Sequence, residues 1–140
     1  MAGAGSQWPI IITEWALNAY LNMKHQAVFT DAEYRRTIRP DVKLLREGIP
    51  SPHPKFGNSK FWGPAKIGKN VLQDGFKMKW HNIGPGQVQL RLPVMVGKGC
   101  TYLCEAYVKA DSSHERRMLA RFKSHMNKIS QGHFTHRGIL

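Results

Sequence analysis

Carboxylates are scarce in this 140-residue chain, where nine Asp and Glu stand against 21 Lys and Arg for a formal net charge of +12. The shortage is sharpest after position 50, with four acidic residues against fifteen basic, whereas the first fifty residues hold five against six. Only Asp74, Glu105, Asp111 and Glu115 remain in that C-terminal part, and no two form an evident pair. The paired carboxylates of a glycosidase and the acidic cluster of a metal-dependent nuclease are therefore missing. Cysteine is scarcer still. Cys100 and Cys104 would share a strand face too far apart for a disulfide, and two thiols fall short of a zinc site, so both are expected to be reduced structural residues. No apolar run approaches the roughly 18 residues of a membrane span, and the opening Met-Ala-Gly-Ala-Gly-Ser lacks the charged and apolar regions of a secretion signal. A cytoplasmic protein without membrane partners is expected. The chain also lacks a nucleotide-binding glycine loop, a Gly-x-Ser-x-Gly elbow, internal repeats and low-complexity tracts, and no cofactor is predicted.

What is present is enough apolar sequence, 41% of the chain, for one domain over residues 1–140. Trp8-Pro9-Ile10-Ile11-Ile12 reads as a short strand that Pro9 confines to an edge or a strand start. Thr13 can cap a helix to about Ala27, and Thr30-Asp31-Ala32-Glu33 has capping-box spacing for a second helix towards Arg46, kinked or broken at Pro40 and ended by Gly48. These two are expected to form a hairpin. Residues 49–75, with Pro50, Pro52, Pro54 and Pro64, read as an irregular connection in which Lys60-Phe61-Trp62-Gly63 could form a short strand.

Two alternating segments follow, Phe76 to His81 and Gln87 to Leu92, joined by Gly84-Pro85-Gly86. As strands of a hairpin they place Phe76, Met78, Trp80, Val88, Leu90 and Leu92 on a core face, and Lys77, Lys79, His81, Gln87, Gln89 and Arg91 on an exposed polar one. A third strand is expected from Thr101 to Lys109, giving a mostly antiparallel meander. Ser112-Ser113-His114-Glu115 then reads as a capping box for a last helix ending near Gly132, with Met118, Leu119, Phe122, Met126 and Ile129 on one face. His114 and His125 read as surface residues, His133 and His136 as part of a flexible tail, and Trp15, Trp62 and Trp80 as core.

The Lys77, Lys79, His81 and Arg91 row is the sharpest constellation. A solvated outer strand face could look alike, since lysine and arginine blunt exposed sheets. Two features favour a polyanion: these strands nearly lack acidic residues, and Gln87, Gln89 and Arg91 are good hydrogen-bonding partners for phosphates and bases.

Three stretches in order resemble the RelE/HigB superfamily of bacterial type II toxins: Gly75-Phe76-Lys77-Met78-Lys79, Gly86-Gln87-Val88-Gln89-Leu90-Arg91, and Leu103-Cys104-Glu105-Ala106-Tyr107-Val108-Lys109 before a capped helix. The resemblance implies an α+β fold in which an N-terminal helical hairpin packs on a small, mainly antiparallel sheet with a C-terminal helix. It implies a toxin that cleaves mRNA without a metal ion, at the ribosome, and that is neutralised by a cognate antitoxin protein. A ParE-like gyrase inhibitor and a non-catalytic nucleic-acid-binding regulator are the alternatives. For cleavage, Lys77 and Lys79 would stabilise the phosphate, one of them being an alternative base, Arg91 would stabilise the transition state, and His81 would transfer protons. Gln89, Tyr107, Lys109 and His114 would border the RNA, while Arg116, Arg117 and Arg121 would anchor ribosomal RNA.

Overall fold

The computed structural model describes residues 7–140; the opening Met-Ala-Gly-Ala-Gly-Ser, read above as unlike a secretion signal, lies outside them. Strands β1 (Ile10–Thr13), β2 (Trp62–Ile67), β3 (Asn70–Ile83), β4 (Val88–Val96), β5 (Thr101–Leu103), β6 (Tyr107–Val108) and β7 (His136–Ile139) make one mixed sheet. Its order is β2-β3-β4-β5-β1-β7, with β6 also on β4. The β2–β5 run is the expected antiparallel meander, but the sheet is larger than a small meander because β1 adds parallel to β5 and β7 adds antiparallel to β1. Pro9 precedes β1, so the ladder loses no donor, and β1 is an interior strand rather than an edge. Residues 49–75 are more regular than their prolines suggest, since β2 and the first part of β3 form a hairpin there. The C-terminal tail carrying His133 and His136 is likewise no loose end: it forms β7 and closes on β1.

The helix α1 (Glu14–His25) starts as read, with the Thr13 hydroxyl accepting from the Ala16 amide. The Thr30 capping box is also formed, its Glu33 carboxylate returning to the Thr30 amide at 2.8 Å. From there the second helical segment is broken, one of the two outcomes expected around Pro40. Its pieces are α2 (Asp31–Glu33), a wide turn over Tyr34–Ile38, α3 (Arg39–Lys43) and a tight turn to Gly48, whose φ is +82°. Pro40 explains the widening: its ring would collide with the carbonyl four residues earlier, and the Arg39 amide reaches back to Tyr34 instead. The expected N-terminal hairpin is therefore not formed. The first helix lies against β1 and β7, and the broken segment packs separately on the same sheet face around Ile38, Val42 and Leu45.

That face holds the larger core, with Met78, Trp80, Leu90, Leu92 and Val94 as alternation predicts. The other face was expected to be open. Instead α4 (Ser112–Ser130) lies across part of it, setting Leu119, Phe122, Met126 and Ile129 on Ala65, Leu72 and Cys104. It approaches so closely that a Cβ at Gly75 would stand 2.8 Å from the Phe122 ring. His125 belongs to this buried face, stacked on the half-buried Trp15 at 4.0 Å, and is not a surface residue. Trp62 and Trp80 are core residues. Both cysteines are free thiols, Cys104 fully buried. No described helix is long and apolar enough to cross a membrane.

Candidate nucleic-acid interface and active site

The polar face of β3 and β4 survives where α4 stops. Lys79 is the register partner of Arg91, and Arg91 is in turn the partner of Tyr107, so three side chains from three strands stand in one row. The place of Tyr107 depends on an irregularity. Had Thr101 to Lys109 been the continuous strand expected, Tyr107 would share the core face of Leu103. One extra residue between β5 and β6 reverses the alternation and turns Tyr107 towards the lysines. Pro93 of β4 explains the break, because it can accept from the Cys104 amide but has no N–H to give to this partner strand.

Lys77 lies beside this row and α4 supplies the missing anion. The Ser112 capping box does not form. Asp111 caps the helix instead, accepting from the His114 amide at 2.7 Å, and Glu115 is thereby free to turn inward. Its Oε2 accepts from the Tyr107 hydroxyl at 2.9 Å and lies 3.8 Å from Lys77 Nζ. The result is a cluster of four cations, Lys77, Lys79, Arg91 and Lys109, close enough to repel one another, with one carboxylate among them. Arg91 is only 5% exposed, and its guanidinium donates to the Leu90 and Trp80 carbonyls at 3.2 and 3.4 Å.

Burial pushes the Lys77 ammonium below the ordinary lysine range; Glu115 opposes this, while Arg91 and Lys109 add to it. Lys79 moves the same way through burial first and then repulsion by Lys77 and Arg91. Arg91 is lowered chiefly by burial, with Glu115 opposing. Tyr107 moves upward, through burial and then its hydrogen bond to Glu115, so its hydroxyl keeps its proton. A cluster of this sign gains most from a bound anion, which would relieve the repulsion that one carboxylate leaves.

The remaining sequence candidates divide. His81 shares the face but both ring nitrogens are engaged, Nδ1 with Gln89 Oε1 at 2.7 Å and Nε2 with the Lys60 carbonyl at 2.6 Å. Lys79 Nζ similarly donates to the Ser59 carbonyl at 2.9 Å, which ties the 58–61 loop to the cluster. Gln87 is not a strand residue: it completes the 84–87 turn with φ +48°. His114 packs against Tyr107 and its Nδ1 is buried without a partner. Arg116 and Arg117 are exposed on α4, whereas Arg121 forms a two-pronged pair with Glu105 at 3.0 Å. Glu115 is the member that reading the sequence missed, its helix-capping pattern having assigned it elsewhere. Among the described residues no three His, Cys, Asp or Glu side chains converge as a metal site. No protein family, curated protein or solved structure matches the chain.

Proposed function

We propose that this chain is an endoribonuclease of the RelE/HigB toxin kind, cutting mRNA at the Lys77, Lys79, Arg91, Tyr107 and Glu115 cluster. The observation that carries the reading is the cross-strand row Lys79, Arg91, Tyr107 with Lys77 and Glu115 beside it. The scissile phosphate sits among the three strand cations, which stabilise the charge that builds on its oxygens. Glu115 takes the 2′-hydroxyl proton, and the 2′-oxygen attacks phosphorus. The bond to the 5′-oxygen then breaks as the Tyr107 hydroxyl delivers its proton to it. The Tyr107–Glu115 hydrogen bond lets the proton collected by Glu115 return to Tyr107, leaving a 2′,3′-cyclic phosphate, a free 5′-hydroxyl and an unchanged enzyme. His81 orders the rim through Gln89 and Lys60, and exposed Lys109, Arg116 and Arg117 extend the basic surface along the RNA. An acid-rich antitoxin segment covering the same field is the partner this charge favours.

The test is to incubate the purified chain with defined mRNA, free and on translating ribosomes, and to identify the new ends chemically. Cyclic phosphate and 5′-hydroxyl ends are expected, lost in Lys77→Ala/Lys79→Ala. RNA that is bound but never cut would establish the non-catalytic regulator, and inhibited gyrase supercoiling with intact RNA would establish the ParE-like alternative.

A further inference from the structure

The opposite face of the sheet carries a second candidate site that owes nothing to the cationic cluster. Because α1 and the broken 31–47 segment do not pack as a hairpin, a gap of about 200 Å³ remains between them over the sheet. Ala16, Val42, Trp80 and Leu92 line its depth. At its polar side are Tyr20, Tyr34 and the exposed Arg39, the two tyrosine rings 5.0 Å apart. None of the lining residues is Asp or Glu. The charge beside it is positive: Lys43 is close enough to Arg39 and Arg46 for both to lower its proton affinity, Arg39 foremost.

We propose that this cavity binds a free medium-chain carboxylic acid, the chain among the apolar residues and the carboxylate on Arg39 with the Tyr20 and Tyr34 hydroxyls. The chemistry of the walls selects the class. An apolar cavity of roughly 150 Å³ stays dry and holds a benzene-sized ligand, so this one suits an aliphatic chain of about six to ten carbons. An arginine and two hydroxyls suit a planar anion better than an alcohol, which could use the hydroxyls but not the guanidinium charge.

Octanoate is the probe. It is titrated into the full chain while methyl resonances of Met23, Leu17 and Val42 are followed by NMR, with octanol and butanoate in parallel. Saturable one-site binding of octanoate is expected, with shifts on the α1–α3 side and affinity at least tenfold above that of octanol or butanoate. Arg39→Ala should remove the preference for octanoate over octanol. Ala16→Leu, which fills the cavity, should weaken octanoate at least tenfold without lowering the melting temperature. Absence of saturable binding to the unaltered chain overturns the proposal. So do shifts confined to the α4 side, or an Arg39→Ala chain that binds octanoate as before. These readouts need no RNA cleavage, and the proposal stands or falls apart from the nuclease reading.

Discussion

The two faces of the sheet differ in how closely their covering elements fit, although both covered surfaces are apolar. Under α1 and the broken segment the strand side chains are almost wholly apolar, yet the helices leave a cavity. Under α4 the strand residues Ala65, Leu72 and Cys104 are apolar too, yet here the fit is close enough to exclude a single methyl at Gly75. The difference lies in the covering element. One regular helix of 19 residues brings a continuous apolar stripe to the sheet, while a segment interrupted by a wide turn cannot keep its stripe in phase. Close packing follows from regular backbone more than from apolar content.

Changes that remove volume or charge from one face at a time should separate these roles. The largest effect is expected from Trp80→Ala. It enlarges an existing cavity and takes the indole N–H from the buried Asp41 carboxylate, which it meets at 2.9 Å. A loss of about 3–5 kcal/mol in urea unfolding is expected. On the other face, Lys77→Ala and Lys79→Ala should each raise the cleavage barrier by about 3 kcal/mol, near a hundredfold in rate. Stability should change by no more than about 1 kcal/mol, because relief of repulsion offsets lost contacts. A well-folded double variant that cleaves RNA at the original rate would remove both lysines from the mechanism.

Gly75→Ala should cost about 1–3 kcal/mol by forcing Phe122 and Met126 away from the sheet, measured by thermal unfolding. An unchanged melting temperature would mean that α4 is held less firmly than its packing implies. The smallest effect is a slope. Lys77 loses its proton more readily folded than unfolded, so over a window below the ordinary lysine value the unfolded chain binds more protons and stability rises with pH. Tyr107 acts in the opposite sense above its ordinary value, where the unfolded chain releases a proton the folded one retains. Melting temperatures should therefore rise less steeply in Lys77→Met as pH approaches the ordinary lysine value from below. Equal slopes would show that Lys77 does not sense the cluster.

Features encoded within a few neighbouring residues were readable before folding. The alternation along β3 and β4, the Thr13 cap and the Thr30 box are of this kind, since each needs only its own segment. Features that depend on a distant residue were not. The extra residue that turns Tyr107 to the site is set by Pro93 on another strand, and Glu115 joins the site because the cap falls on Asp111 rather than one residue later. That α4 would cover the Gly75 part of the lysine-bearing face and reach Lys77 only through Glu115 was hidden too. The apolar stripe of the helix was visible, but nothing local says which sheet face a stripe will cover.

The position of β1 carries a consequence for biosynthesis. This strand is made before the other strands described, yet its neighbours in the sheet are β5 and β7, the latter among the last residues described. Nascent Ile10, Ile11 and Ile12 must wait without strand partners until β5, 91 residues further along, is translated, an interval on the order of ten seconds. Completion of the sheet therefore waits for residues made long after β1, and anything that slows synthesis between β1 and β5 prolongs exposure of an aggregation-prone stretch.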